Sequence, residues 1–154
     1  MNKKFKYVKQ IENMTDKEIG QRSKSIMLSP LKEKIRAIDY YGEEREIIEY
    51  KYEELIAHCP MTFIIDVYRI TIRMIPNNKI PELKSLKFYF WNYQELPISH
   101  EHLGAKIYKD FKKAINPKKL YLQLDTAGRG EIFTTIRLGD MDLDNLKNRE
   151  TKNL

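Results

Sequence analysis

The order of periodic segments predicts an α+β domain: strand, strand, helix, helix, strand, strand. The strands form one four-stranded antiparallel sheet, and both helices lie on one of its faces. Three observations carry this. Residues 66–74 alternate, with Tyr68, Ile70, Ile72 and Met74 on one side and Val67, Arg69, Thr71 and Arg73 on the other. Leu83, Leu86, Phe90 and Tyr93, and then Leu103, Ile107, Phe111, Ala114 and Ile115, recur at helical spacing. Leu120, Leu122 and Leu124 alternate, as do Ile132, Thr134, Ile136 and Leu138, on either side of the turn Ala127-Gly128-Arg129-Gly130.

Along the chain, Thr15 reads as a helix N-cap with Asp16 and Glu18 in the first turn. Pro30 breaks that segment, and residues 31–38 suggest a short helical turn. Glu46 to Tyr52 alternates loosely as a first strand, and Pro76-Asn77-Asn78 is a turn after the second. Ser99 caps the second core helix, with Glu101 and His102 in its first turn, and Pro117 stops it. The expected organisation is a basic N-terminal extension over 1–43, of low internal order or mixed helix, then a catalytic domain over 44–139. A polar, frayed tail over 140–154 closes the chain.

The chain has 154 residues, enough for one domain with its own core, and 42% hydrophobic and 32% charged residues suit a soluble globular protein. A net charge of +6, with 28 basic residues set among 22 acidic ones, fits either anionic partners or a solvated lysine-rich surface. No apolar stretch is long enough for a membrane span, and no apolar segment follows the basic start Met1-Asn2-Lys3-Lys4 as it would in a secretory signal. A cytoplasmic location is expected.

Cys59 is the single cysteine. It cannot form an internal disulfide, so it is packing or chemistry. It stands in His58-Cys59-Pro60-Met61-Thr62, seven residues before Asp66, and ahead of Glu82-Leu83-Lys84-Ser85-Leu86-Lys87 and Ser99-His100-Glu101. Each member has a plain alternative: Cys59 as small packing, Asp66 as a strand-edge residue, Glu82 as first-turn charge. Lys84 and Lys87 read equally as a solvated face, His100 as a helix start, and Arg129 as a turn residue. Together they describe one reaction. A thiolate adds to an electrophilic carbon more readily than hydride does, and splits a hard step into easier ones. A carboxyl supplies the proton. Further carboxylates accept paired N–H bonds, and lysines hold phosphates. One Cys and three His, two of them flanking Glu101, do not match zinc spacing, and no metal is expected. No phosphate-binding glycine pattern is present.

Those stretches resemble the NADPH-dependent 7-cyano-7-deazaguanine reductases, nitrile reductases of queuosine biosynthesis. The resemblance covers roughly residues 45–138. It rests most on Glu82 to Lys87, which fits the family's Glu-x-Lys-x-x-Lys pattern, and extends to the Arg129-Gly130 turn. It implies a tunnel fold, the ββααββ unit shared with GTP cyclohydrolase, assembled into an oligomeric barrel with sites between subunits. It implies Cys59 as the nucleophile forming a thioimide and Asp66 as the proton donor. His100 would orient the base or relay a proton. Glu82, Leu83, His100 and Glu101 fall at the 7-deazaguanine base, and Lys84, Lys87, Arg129 and Gly130 at NADPH. The chain departs from the family after Thr62: where Gly-x-Pro-Asp-Phe is usual, it has Phe63-Ile64-Ile65-Asp66-Val67.

Two other functions fit the same residues. An archaeosine synthase-like amidinotransferase would use Cys59 on the nitrile of a deazaguanine already in tRNA, with ammonia resolving the thioimide. This suits the net charge and makes tRNA a partner. A non-catalytic tunnel-fold binding module would keep the fold after the altered loop had abolished activity.

Overall fold

The computed structural model describes residues 15–42 and 45–144. The helix α1 (Asp16–Leu28) starts at Thr15 with a reciprocal cap: the Thr15 hydroxyl accepts from Glu18 N–H, and Glu18 Oε2 accepts from Thr15 N–H at 2.7 Å. It ends at Ser29, just before Pro30. Residues 31–36 are irregular, with a bend at 32–33, rather than helical. The reason is that the backbone of Arg36 is claimed from outside: its N–H donates to Ser85 Oγ at 2.9 Å, and its carbonyl accepts from Glu82 N–H at 2.8 Å. The chain then forms β1 (Ala37–Asp39), which pairs antiparallel with β4 (Lys79–Pro81). The short helical turn expected over 31–38 is replaced by this two-stranded ribbon.

The main sheet has the order β2-β3-β5-β6, every pair antiparallel, from β2 (Ile48–His58), β3 (Ile65–Ile75), β5 (Lys119–Thr126) and β6 (Thr135–Gly139). Between β3 and β5 lie β4, α2 (Leu83–Trp91), a 3₁₀ turn (Asn92–Glu95) and α3 (His100–Ile115). The helices α2 and α3 cover one face of the sheet. The expected alternation in β3 holds: Tyr68, Ile70, Ile72 and Met74 are buried with Leu122 and Leu124 against Leu86, Phe90, Leu103, Ile107 and Phe111. Burying each such side chain contributes about 1.5–3 kcal/mol.

The first strand is longer than its sequence suggests and contains a bulge. Tyr52 pairs with Ile70 and Leu55 with Tyr68, so three steps on β2 oppose two on β3. Before the bulge the even residues Ile48, Tyr50 and Tyr52 pack on the core; after it the odd residues Leu55, Ala57 and Cys59 are buried. The extra residue therefore turns Cys59 to the helix-covered face.

On the opposite face, Arg73 is buried by its partners. Nε donates to Glu49 Oε2 at 2.5 Å, Nη1 donates to the Leu143 carbonyl at 3.2 Å, and the guanidinium lies over the Tyr121 ring. This fastens the segment after β6, where Met141–Leu143 forms a 3₁₀ turn and Leu143 is buried. The frayed tail expected over 140–154 is thus docked through Asp144, and its remainder, like the first 14 residues, lies outside the described residues. Within the expected extension, α1 is tied to the core by Lys106. That side chain is buried and donates to the Met27 and Ser29 carbonyls at 3.4 and 3.2 Å, near the C-terminus of the helix, while pairing with Asp110. No helix among the described residues is long and apolar enough to cross a membrane.

Candidate active site

Cys59 directly follows the bulged strand, just past the pairs Ala57↔Asp66 and His58↔Ile65. The loop to β3 is closed at its neck: Cys59 N–H donates to the Ile64 carbonyl and Phe63 N–H to the Cys59 carbonyl, both at 2.9 Å. Phe63 turns the chain with φ of 60°, a left-handed value that glycine adopts without penalty and other residues rarely do. This is where the resembled family usually has glycine. The Phe63 ring rests on His58, centroids 5.3 Å apart.

The backbone of His58 also positions the second helix. Its N–H donates to the Leu96 carbonyl and its carbonyl accepts from Ile98 N–H, each at 3.0 Å. Segment 96–98 therefore runs beside Cys59, and Ser99, accepting from His102 N–H, starts α3 at this end of the sheet. His100 is buried there, with Glu101 exposed next to it. The ring of His100 meets Tyr68 edge-on, and Nδ1 lies 2.8 Å from the Tyr68 hydroxyl. Burial, with the nearby Arg129 charge, pushes the imidazole below its ordinary range. Burial, with the charge of Asp66, pushes the Tyr68 phenol far up.

Asp66 is 8% exposed and faces Arg129 of the β5–β6 hairpin, which donates to it from Nε at 3.2 Å and from Nη2. The hairpin tip explains the placement. Arg129 and Ile132 exchange both backbone hydrogen bonds at 3.0 Å, and Gly130 and Glu131 between them have φ of 55° and 65°, a tight two-residue turn with both centres left-handed. Gly130 thus has a conformational reason of its own. The Ala127 N–H donates to the Val67 carbonyl, and this holds the hairpin against β3 beside Asp66.

The structure therefore gathers Cys59, Asp66, His100 and Arg129 at one end of the sheet, close enough that the charges of Cys59 and Asp66 both act on Arg129. It adds Tyr68, which alternation alone marks as core. Glu101 and Gly130 lie at this end too, next to His100 and Arg129, whereas Glu82, Leu83, Lys84 and Lys87 are elsewhere. Glu82 is the N-cap of α2: Oε1 accepts from Lys84 N–H at 2.8 Å and Oε2 from Ser85 N–H at 2.9 Å, and Arg36 pairs with it at 2.8 Å. Those backbone bonds first, and Arg36 second, hold its carboxyl below the usual range. Leu83, Lys84 and Lys87 are exposed, Lys84 over the Phe88 ring and Lys87 over Trp91 at 5.0 Å. Leu83 and Lys87 line a cavity of about 410 Å³ with Tyr50, Tyr52, Ile70 and Ile72. On β3 those positions are four to six residues from Asp66, roughly 13–20 Å. No three His, Cys, Asp or Glu side chains gather as a metal cage among the described residues.

A four-stranded antiparallel sheet with two helices on one face is the tunnel-fold unit, and here it carries a buried thiol, a carboxylate and an imidazole at one end. The family model described as QueF-like protein matches residues 66–144. Curated relatives include the NADPH-dependent 7-cyano-7-deazaguanine reductases of Caldicellulosiruptor bescii, 38% identical over 68% of this chain and 80% of that protein, and of Thermoanaerobacter pseudethanolicus, 36% identical over 80% and 94%. The Thermotoga maritima protein of the same name is 33% identical over 70% and 79%. Among solved structures, the archaeosine synthase QueF-Like in its apo form superposes with a TM-score of 0.59 over 65% of this chain and 96% of that one, at 16% identity, a likeness of fold. The chain belongs to the QueF-like family.

Proposed function

We propose that this protein reduces the nitrile of 7-cyano-7-deazaguanine to the 7-aminomethyl base with NADPH, through a thioimide on Cys59. The observation that carries the proposal is the bulge-directed convergence of Cys59 and Asp66 on one face, with His100 at the same end. Support comes from relatives of more than 30% identity that bear the reductase name.

In this reading Asp66 takes the Cys59 thiol proton, the sulfur bonds to the nitrile carbon, and one C–N π pair moves to nitrogen and takes that proton from Asp66. Donating that proton requires the pair with Arg129 to open; its side chain is 43% exposed, which leaves it room to turn outwards. NADPH would supply two hydrides, one from each of two molecules bound in turn. Between them the tetrahedral carbon expels the Cys59 thiolate and becomes an imine. Glu101 accepts the paired N–H groups of the base. Lys84 and Lys87 fit the cofactor phosphates, because both ammonium groups are exposed on one helix.

Because Glu82, Leu83, Lys84 and Lys87 lie along the sheet from Cys59, we propose that a complete site joins α2 of one copy to the thiol end of another. The outer edges of β2 and β6, the two edge strands, have no sheet partner among the described residues. Consumption of NADPH at 340 nm with the free nitrile base tests the function. Turnover supports it. Absence of turnover, with amidine formed on deazaguanine-bearing tRNA and ammonium, selects the amidinotransferase reading that the +6 charge favours.

A further inference from the structure

A slot opens between α2 and the edge strand β2, about 410 Å³ in volume and within the roughly 300–1,000 Å³ range of small-molecule sites. We propose that it takes the adenine ring of the dinucleotide, with the phosphates of the adenosine half on Lys87 and Lys84 outside. The proposal rests on the function proposed above for the identity of the cofactor; the place of the ring follows from the side chains of a single copy.

Tyr50 and Tyr52 of β2 and Ile70 and Ile72 of β3 line the slot from the sheet, and Leu83 and Phe90 line it from α2. Both layers are apolar, so a flat, uncharged ring is favoured there over a charged group. Aromatic side chains suit such a ring, because every base offers them a π face. Tyr52 is already stacked on Phe90, centroids 5.0 Å apart with the planes 10° from parallel, and its hydroxyl accepts from Trp91 Nε1 at 3.1 Å. Tyr50 is half-buried and meets Phe111 at a tilt, so its face is stacked on no ring among the described residues.

The charges at the mouth match an adenosine phosphate. Glu49 is committed to Arg73 and Lys51. Glu54 and Lys87 line the same slot and have no ion pair among the described residues. A carboxylate accepts the N–H of an exocyclic amine, and an ammonium attracts a phosphate. Neither reacting ring fits this place. Nicotinamide has to bring its hydride to the carbon bonded to Cys59, and the deazaguanine has to bring its nitrile there. Cys59, Asp66 and His100 do not line the slot, and Ile70 and Ile72 stand roughly 13–20 Å along β3 from Asp66. A ring enclosed here is out of reach of its own copy's thiol, and the residues that enclose it screen it from another's.

The test is a titration of the full chain followed by the emission of Trp91. That residue is the single tryptophan, bonds to Tyr52 and carries Lys87 over its ring. The probes are adenosine 2′,5′-bisphosphate, adenosine, nicotinamide mononucleotide and inorganic phosphate, all at one ionic strength. The bisphosphate should give a saturable change and adenosine a similar change at higher concentration. Nicotinamide mononucleotide and phosphate, which offer the anion without the adenine, should give a smaller one. Tyr50→Leu should weaken both adenosine probes roughly 5-fold or more, the scale of one lost base–aromatic stack. Lys87→Ala should weaken the bisphosphate and leave adenosine unchanged. An equal response to nicotinamide mononucleotide or to phosphate overturns the proposal, and so does bisphosphate binding that Tyr50→Leu leaves intact. If that variant does not fold, the four probes on the wild type decide. Turnover without a response to the adenosine probes sinks only this inference; binding of those probes without turnover sinks only the proposed function.

Discussion

Phe63 holds a backbone conformation that its side chain disfavours, and the strain can be isolated by comparing two variants. An L residue at φ of 60° carries roughly 1–2 kcal/mol that glycine does not. Glycine in turn loses about 0.4–1 kcal/mol through the greater freedom of the unfolded chain. Removing the partly buried ring, which rests on His58 at 5.3 Å, costs about 1–2 kcal/mol in either variant. Phe63→Ala loses the ring and keeps the strain; Phe63→Gly loses the ring and releases it. The glycine variant should therefore be the more stable of the two by about 0.5–1 kcal/mol, although both fall below wild type. For a chain of this size that is a difference of about 1–4 °C in Tm. Urea unfolding at one fixed protein concentration is the appropriate assay, because self-association shifts apparent stability. If alanine proves equal to glycine or better, Phe63 is not strained and the account of this loop fails.

Further predictions concern the site and the open face. Mixing the protein with the nitrile base should add the mass of one base per chain, and Cys59→Ala should add none; an adduct persisting in the variant would remove Cys59 from the mechanism. Asp66→Asn should keep base binding and lose at least about 100-fold in turnover, as measured by stopped-time assays; near wild-type rates would place the proton donor elsewhere. Lys84→Ala and Lys87→Ala should raise the KM for NADPH while leaving the Cys59 adduct intact; unchanged KM in both would unseat the phosphate role. In Glu49, burial raises the carboxyl pKa, but the Arg73 and Lys51 bonds outweigh it, and the net value is below the ordinary 4.5. Its stabilisation is thus complete above about pH 4.5 and is lost as pH falls through the lowered folded value. Acid unfolding should be shallower in Glu49→Gln, and identical acid profiles would contradict this.

The parts of the fold legible in the sequence are those with long periods. β3, β5 and α3 declare themselves through Ile70-x-Ile72-x-Met74, Leu120-x-Leu122-x-Leu124 and the stripe from Leu103 to Ile115. The ribbon β1–β4 does not, because three residues are too few for alternation to show, and Pro81 argues against a strand. The end of β2 was hidden by its bulge: the core phase passes from even to odd at Glu53-Glu54, so a single alternating pattern stops at Tyr52. At the site, residue types and spacing pointed to Cys59, Asp66 and His100, but partnership is tertiary. Nothing local says that Arg129 faces Asp66, or that the hydroxyl of Tyr68, one more apolar-phase residue in β3, meets an imidazole 32 positions away. Glu82 shows the converse. Its motif suggested a ligand group, whereas the acidic residue before a helical stripe is also what an N-cap requires.

The bulge in β2 makes the orientation of Cys59 a matter of counting. Side chains at Glu53 and Glu54 are exposed, and substitutions there should be tolerated in stability. Deleting either one should leave the phase intact, because the two remaining steps from Tyr52 to Leu55 match the two from Ile70 to Tyr68, and Leu55, Ala57 and Cys59 keep the core face. Regular pairing carried past Tyr52 at unchanged length is a different event. It would send Glu54, Ile56 and His58 to the core side in place of Leu55, Ala57 and Cys59, and present the sulfur to the far side of the sheet. A carboxylate at position 54 opposes that slip, because it would have to be buried without a partner.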